Sequence, residues 1–443
     1  MPLGCTHADC LIQFLSFGSC LGGAFEIGKS FGVYDPTTAT WIPAAYPLTH
    51  GAFVLISGRI GAVYGHKKIV LLGGAWWVLW SVINGFCTRS LVTFAIARAF
   101  AGVGAAFVMP NIVAIIGITF PPGRMRNFAL GFFGFGCPMG GAVGAFFMGV
   151  FMEFAEWRWF FFSMLVLGGH WAILGAGLFT ALWLALPRES SVDKSGNVDW
   201  IGTCLGICAL IFRAPAFARE PIMPLGIWTA PSFLPLILVV LFSIISYGIF
   251  IWYLVAWQQL VRHWSPFHFG IGILPHGLVG GLSAPIAAWL ISRVAAQWIL
   301  GFGALAVAIS SIILATMPPQ QTYWAQVFPA TILMALCPDF IYTAAQIIAT
   351  NSVKRREQGI AGSLIHASLG LGFAGTVESE TNEDGMAIVR GYRGALYLAI
   401  GLALAALVLD ILFVRVPKDT REGWAEDVNF SVTSEPTDLS SRD

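Results

Sequence analysis

Residues 58–68 read Gly58-Arg59-Ile60-Gly61-Ala62-Val63-Tyr64-Gly65-His66-Lys67-Lys68, and they separate two long apolar segments at about 41–61 and 69–87. The three glycines would let two helix ends approach each other closely around a tight turn. The basic side chains would hold such a turn at the cytoplasmic head groups of a membrane. These residues therefore predict a short cytoplasmic connection between two membrane-spanning helices.

The composition excludes an ordinary soluble protein. Of the 443 residues, 57% are hydrophobic and only 11% are charged, whereas soluble domains carry about 25% charged residues. So few charges cannot cover the surface of two or three soluble domains. The formal net charge of +1 gives no reason to expect nucleic acid as a partner. We therefore predict an all-α polytopic membrane protein that is surrounded by the lipid bilayer.

A helix needs about 20 predominantly apolar residues to cross the hydrocarbon core. Two segments fall short of this length: residues 10–27 form a short first candidate rich in Gly and Ser, and residues 200–212 form a stub that cannot span alone. The other candidates, beyond the two segments that flank residues 58–68, lie at about 91–119, 127–152, 159–186, 234–257, 267–292, 297–317, 323–349, 359–377 and 394–416.

Basic residues favour short cytoplasmic loops, which sets the direction of the chain. With the N-terminus inside, Lys67, Arg126 and Arg188 all fall on the cytoplasmic side. The run Lys354–Arg356 does so only if an even number of spans lies between the two halves. We therefore expect an N-terminal bundle at 1–186, a cytoplasmic linker at 187–233 containing the stub 200–212, a C-terminal bundle at 234–416, and a disordered cytoplasmic tail at 417–443.

A weak internal repeat supports two related bundles. A shift of 228 residues places Pro110-Asn111 on Pro338-Asp339 and Arg126 on Lys354. Parallel repeats of this kind are typical of one large class of transporters. The repeat and the charge-derived orientation together favour two bundles of six helices each, with twelve core spans.

Two charged residues inside the predicted spans are candidates for proton coupling. Arg98 lies within the span at 91–119, and Asp339 lies near the middle of the span at 323–349. A charge at this depth costs a few kcal/mol, so it is usually paired or faces water, and it often marks a functional site. Structural alternatives remain for both: Arg98 could bind backbone carbonyl groups, and Asp339 could cap a break made by Pro338 or pair permanently with a basic residue.

The span at 127–152 contains small residues grouped around a proline, namely Gly136, Pro138, Gly140, Gly141 and Gly144. Proline frees a backbone carbonyl, and glycines let helices pack closely. The pattern therefore predicts a bendable seam between two helices. Glycine-rich helices are common in membranes, so the pattern alone does not define a function.

Taken together, these motifs resemble the major facilitator superfamily. Residues 58–68 are similar to its signature loop, although Ala62 stands where the family has an acid. The seam is similar to the glycine–proline motif of proton-coupled antiporters, and Arg98 to an arginine that the family associates with proton coupling. The resemblance narrows to the fungal fourteen-span drug:proton antiporters, in particular their aminotriazole-resistance-like branch, through Trp157-Arg158-Trp159-Phe160, Trp257-Gln258-Gln259 and Cys337-Pro338-Asp339-Phe340.

This resemblance implies the major facilitator fold, with a linker hairpin truncated here to residues 200–212. It also implies a proton-coupled antiporter that exports small organic compounds, drugs or toxic small solutes. As polar residues lining the substrate cavity we single out Asn111, Gln258 and Gln259. Uptake or exchange of a nutrient in the same fold, and a transport-inactive truncated family member, are the alternatives.

Other classes of function lack support in the sequence. There is no phosphate-binding loop and no nucleophile–base arrangement, so neither an ATP-driven pump nor an enzyme is predicted. We expect no cofactor and no metal site, because the histidines in the spans lack ligand spacing.

The expected partners are a small-molecule substrate and protons. We expect a monomer in the plasma membrane, with the vacuolar membrane as the alternative.

Overall fold

The computed structural model describes residues 3–121, 123–164, 233–351 and 385–415. Several predicted features lie outside these residues: most of the span at 159–186, the linker with its stub at 200–212, the basic run Lys354–Arg356, the span at 359–377, and the tail at 417–443. The described part of each half includes the helices that border the space between the two halves.

All regular elements in the described part of the chain are helical. Nine of these helices are long and apolar enough to cross a membrane. The two others are the four-residue helix Pro36–Ala39 and the 24-residue helix Trp41–Tyr64. The helices are α1 (Leu3–Ser30), α2 (Pro36–Ala39), α3 (Trp41–Tyr64), α4 (His66–Phe86), α5 (Leu91–Thr119), α6 (Arg124–Phe154), α7 (Phe233–Ala256), α8 (Pro266–Leu290), α9 (Ala296–Ala315), α10 (Val327–Asn351) and α11 (Gly385–Phe413). A π-helical turn, Trp257–Val261, continues α7.

The first helix is longer than the sequence suggests. Hydropathy indicates a short candidate at 10–27, whereas α1 contains 28 residues and its apolar part runs from Cys10 to Ser30. Gly and Ser lower the hydropathy of this segment, but in the structure they let α1 pack closely on a neighbour. Helices in proteins are stabilised mainly by such packing rather than by intrinsic propensity.

Helix neighbours show how the halves are built. In the N-terminal half α1 packs on α6, and both α3 and α4 pack on α5. In the C-terminal half α9 packs on α10 and α11, α7 packs on α11, and α8 packs on α10. The main contact between the halves is that of α6 with α8, and α6 also reaches α10. Helix α6 therefore packs on α1 within its own half and on α8 across the interface.

The contact between α1 and α6 depends on residues without side chains. A Cβ atom at Gly18 would clash with the carbonyl group of Gly141, and one at Gly140 would clash with the carbonyl of Leu11. A Cβ atom at Gly144 would clash in the same way with the carbonyl of Leu15. The predicted seam is therefore a close helix contact. Gly141 differs from Gly18, Gly140 and Gly144, because a Cβ atom added to it would meet no atom within 4 Å.

This geometry yields a matched set of substitutions. Gly140→Ala should destabilise the protein, since overpacking a tight contact costs about 1–3 kcal/mol. Gly141→Ala should be neutral or slightly stabilising, because it gains about 1 kcal/mol of helix propensity without a clash. Thermal unfolding of the purified full chain in detergent, followed by the midpoint temperature, measures both. Equal midpoints for the two variants would contradict the assigned seam geometry.

Candidate functional site

The predicted signature loop is almost entirely helical. Helix α3 ends at Tyr64 and α4 begins at His66, so Gly65 is the single residue between them. Its φ of 100° lies in the region that favours glycine. Gly58 and Gly61 are buried within α3, while Lys68 is exposed at the start of α4. The sequence correctly located a tight connection but overestimated its length, because glycines within a helix look like loop residues.

The Asn111 side chain of α5 binds to both helices that this connection joins. Its Oδ1 accepts a hydrogen bond from His66 Nδ1 at 2.6 Å, and its Nδ2 donates to the carbonyls of Phe107 at 2.8 Å and Ser57 at 3.3 Å. The side chain is fully buried, and a Cβ atom at Gly61 would clash with its Oδ1. Asn111 therefore joins α5 to α3 and α4. It is not among the residues that line the cavity between the two halves, so its role in lining the substrate cavity stays a prediction.

Arg98 is buried in α5 and contacts two other helices. Its Nη1 donates to Ser16 Oγ at 2.8 Å, and its Nη2 donates to the Ser16 carbonyl at 3.2 Å. The guanidinium carbon lies 4.8 Å from the centre of the Tyr46 ring, in cation–π distance. These contacts tie α5 to α1 and α3. Arg98 is not among the residues that line the cavity between the halves.

A cavity lies between the two halves and receives side chains from α1, α6, α7, α8 and α10. Its volume is about 60 Å³, room for on the order of four water molecules. Aromatic side chains supply much of its wall: Phe14, Phe17, Tyr247, Phe269 and Tyr342. Pro138 and Gly141 of the seam also line it, so the bendable part of α6 forms one side of the cavity.

Asp339 is the only acidic side chain among the described residues that line this cavity. It is 3% exposed, and no described group forms a hydrogen bond with its Oδ2. A Cβ atom at Gly280 of α8 would lie 2.7 Å from that oxygen and 2.7 Å from Pro138 Cβ. The carboxyl group therefore occupies the space that a glycine leaves, directly beside the helix of the other half.

A buried histidine on the same wall joins α8 to two other helices. His276 Nδ1 lies 3.1 Å from the Thr331 carbonyl, and Nε2 lies 2.9 Å from the Tyr247 hydroxyl. A carbonyl only accepts, so Nδ1 carries a proton and donates to Thr331. A hydroxyl both donates and accepts, so the contact with Tyr247 is compatible with either protonation state of Nε2. The sequence contains no signal for the pairing, because Tyr247 and His276 lie on different helices.

Gln258 and Gln259 lie in the π-helical turn, away from the central cavity. Gln259 Nε2 donates to the Gly22 carbonyl at 2.6 Å, and its side chain lines a second cavity of about 810 Å³. That cavity is also lined by Glu26 and Glu153 near the C-terminal ends of α1 and α6. Gln258 lines neither cavity. The lining role predicted for Gln258 therefore stays a prediction, and Gln259 lines the second cavity.

Within the described residues, no group of three or more His, Cys, Asp and Glu side chains could hold a metal ion. What the site offers instead is one buried carboxyl group in an aromatic cavity, at the contact between two helical halves, with its Oδ2 free of hydrogen bonds from the described residues. A polar site between two helical bundles is typical of secondary transporters.

Comparison with known proteins agrees with this class. The profile of the Major Facilitator Superfamily matches residues 10–377, and the chain belongs to this family. It is 32% identical to a low affinity ammonium transporter of Saccharomyces cerevisiae, covering 89% of this chain and 84% of the relative. It is also 32% identical to a major facilitator superfamily multidrug transporter of Aspergillus fumigatus, covering 90% and 76%.

Two further similarities are informative. The Aminotriazole resistance protein of Saccharomyces cerevisiae is 30% identical, with 88% of this chain and 79% of the relative covered. The crystal structure of the human organic anion transporter MFSD10 (TETRAN) superposes with a TM-score of 0.66 at 13% identity, covering 92% of this chain and 98% of that one. The latter similarity establishes the fold. The protein is therefore a multi-pass membrane transporter of the major facilitator type and not an enzyme.

The contact of Asn111 with the connection between α3 and α4 can be tested by substituting Gly61. Gly61→Ala should lower the unfolding midpoint by an amount equivalent to about 1–3 kcal/mol, because the added methyl group would clash with Asn111 and lie 2.5 Å from His66 Nδ1. Gly74→Ala is the control, since a Cβ atom there meets nothing within 4 Å. Thermal unfolding in detergent compares the two. The interpretation fails if Gly61→Ala is as stable as Gly74→Ala.

Proposed function

We propose that this chain is a proton-coupled antiporter that exports small organic compounds, and that Asp339 carries the coupling proton. The observation behind the proposal is the position of its carboxyl group, which is 3% exposed and has an oxygen without a hydrogen-bond partner among the described residues. The group also lies in the cavity where the two halves meet.

A carboxyl group in this environment is suited to cyclic protonation. Its charged form is costly while the cavity is closed and apolar, so the closed state favours the neutral form. Opening towards water solvates the group and allows the proton to leave. Rocking of one bundle against the other exposes the cavity to each side in turn. A proton taken up on one side can therefore be released on the other.

No permanent positive charge faces the Asp339 carboxyl group from the described residues that line the cavity, because no Lys or Arg is among them. His276, on the same wall, donates from Nδ1 to the Thr331 carbonyl. The titratable side chains near Asp339 on the surrounding helices are Cys10, Cys137, Tyr247, His276, Cys337 and Tyr342.

The wall of the cavity favours an organic solute. Aromatic rings from α1, α7, α8 and α10 offer apolar faces, and Asp339 supplies a single polar contact. Sites for drug-sized ligands measure about 300–1,000 Å³, much more than the 60 Å³ described here. A larger cargo would therefore need the halves to separate. Relatives described as a multidrug transporter and an Aminotriazole resistance protein support export of such compounds.

Arg98 has a different role in this proposal. Its contacts with Ser16 and Tyr46 favour a positioning function that holds α1, α3 and α5 together.

We propose that the protein works as a monomer in the plasma membrane. The linker, which lies outside the described residues, would connect the two bundles on the cytoplasmic side.

Uptake or exchange of a small cation is the second candidate function. The relative named a low affinity ammonium transporter favours it, as does the carboxyl group of Glu153 in the larger cavity, where Glu26 is paired with Lys29. A growth panel of toxic compounds, including aminotriazole and methylammonium, distinguishes the candidates. Cells that overexpress an exporter resist a compound, and cells that overexpress an importer become sensitive to it. A panel without any effect would favour the transport-inactive alternative.

The coupling role predicts the behaviour of one variant and its control. For a compound that the panel identifies, wild-type protein in inside-out vesicles should accumulate it several-fold when the lumen is acidic. Asp339→Asn should accumulate no more than without a pH gradient, because an amide carries no exchangeable acidic proton. Asp410→Asn is the control, since Asp410 is equally buried but does not line the cavity.

Each result of the vesicle experiment has a defined meaning. Loss of accumulation in Asp339→Asn with retention in Asp410→Asn supports the proposal. Accumulation at the wild-type level in Asp339→Asn would rule out Asp339 as the coupling residue and leave Arg98 as the candidate. Loss in both variants would show that removal of any buried acid is damaging, and would remove the special role of Asp339.

A further inference from the structure

Two cysteines from different helices are in contact at the wall of the central cavity. Cys10 Sγ of α1 lies 3.1 Å from Cys137 Sγ of α6. Both are free thiols. Neither has a role in the transport mechanism above. Other free cysteines whose side chains the structure describes are Cys20, Cys87 and Cys337.

The glycine seam holds this pair together. A disulfide requires two backbones that approach within about 7 Å at Cα. Leu11, next to Cys10, has its carbonyl in the space that the missing side chain of Gly140 leaves, and Gly140 lies one turn beyond Cys137. Further contacts of the same kind follow at Gly18 and Gly144. The close approach of the helices therefore places the two thiols side by side.

The two thiols differ in accessibility. Cys137 is partly exposed and lines the cavity, whereas Cys10 is fully buried behind it. A small oxidant in the cavity would therefore reach Cys137 first. Accessibility and thiolate character both decide how readily a thiol is oxidised, and an adjacent thiol completes reversible oxidation to a disulfide. Cys137 has the accessibility and the adjacent thiol.

We propose that Cys10 and Cys137 form an oxidation site that closes to a disulfide in the presence of hydrogen peroxide. The Cys137 sulfur attacks the peroxide, the O–O bond breaks, and a sulfenic acid and water form. The Cys10 sulfur then displaces the sulfenic oxygen, which leaves as a second water. Two thiols are oxidised and one peroxide is reduced to two waters, so atoms and electrons balance. The product covalently joins α1 to the cavity side of α6.

The experiment uses the full chain, purified under reducing conditions, reconstituted in lipid nanodiscs and treated with hydrogen peroxide. Peptide mass mapping should find Cys10 and Cys137 in one cross-linked peptide, lighter than the two separate peptides by the two hydrogens lost, about 2 Da. Dithiothreitol should reverse the change. The unfolding midpoint of the oxidised protein should rise by a few degrees, because a cross-link that fits the native geometry restricts the unfolded chain.

Variants assign these effects to the pair. Cys137→Ser and Cys10→Ser should each abolish the cross-link and the rise in midpoint, while Cys87→Ser should behave like wild type because Cys87 lies at the end of α4. Two results would overturn the proposal. In one, peroxide oxidises Cys137 or leaves it unchanged without joining it to Cys10. In the other, the cross-link forms but lowers the midpoint, which would mean that the seam does not position the thiols.

Discussion

A polar group in the hydrocarbon core of a membrane must find its partner within the protein, because no water is available there. Several buried polar groups in the described part of the chain follow that constraint. Arg98 donates from both terminal nitrogens to Ser16, Asn111 pairs with His66 and two backbone carbonyls, and His276 pairs with Thr331 and Tyr247. Each of these groups joins two or more helices. The polar residues therefore act mainly as links between helices.

Two buried acids depart from this pattern, and their positions differ. Asp410 is 1% exposed and lies against Gly301 of α9, with Arg415 within electrostatic reach. Asp339 lies at the contact between the halves, against Gly280 and beside Pro138. A charge that changes at Asp339 acts directly on the surfaces that must separate during transport. A charge that changes at Asp410 acts within the C-terminal half alone.

The sequence predicted the helical class, the family and the tight connection at Gly65, because each depends on local composition and spacing. It also located Asp339 and the seam. It could not tell which face of a helix a residue occupies. Gly140 and Gly141 were therefore treated as equivalent, although only a side chain at Gly140 would clash. The Cys10–Cys137 contact joins residues 127 positions apart and has no local signature.

The central claim is that Asp339 gains and loses a proton while it remains inside the protein. Infrared difference spectroscopy of the reconstituted full chain tests this directly, because a neutral carboxyl group has a C=O band that disappears on ionisation. The account predicts that an alkaline pH step removes such a band in wild type and in Asp410→Asn, and that this component is missing in Asp339→Asn. An identical band change in Asp339→Asn and wild type would contradict the account.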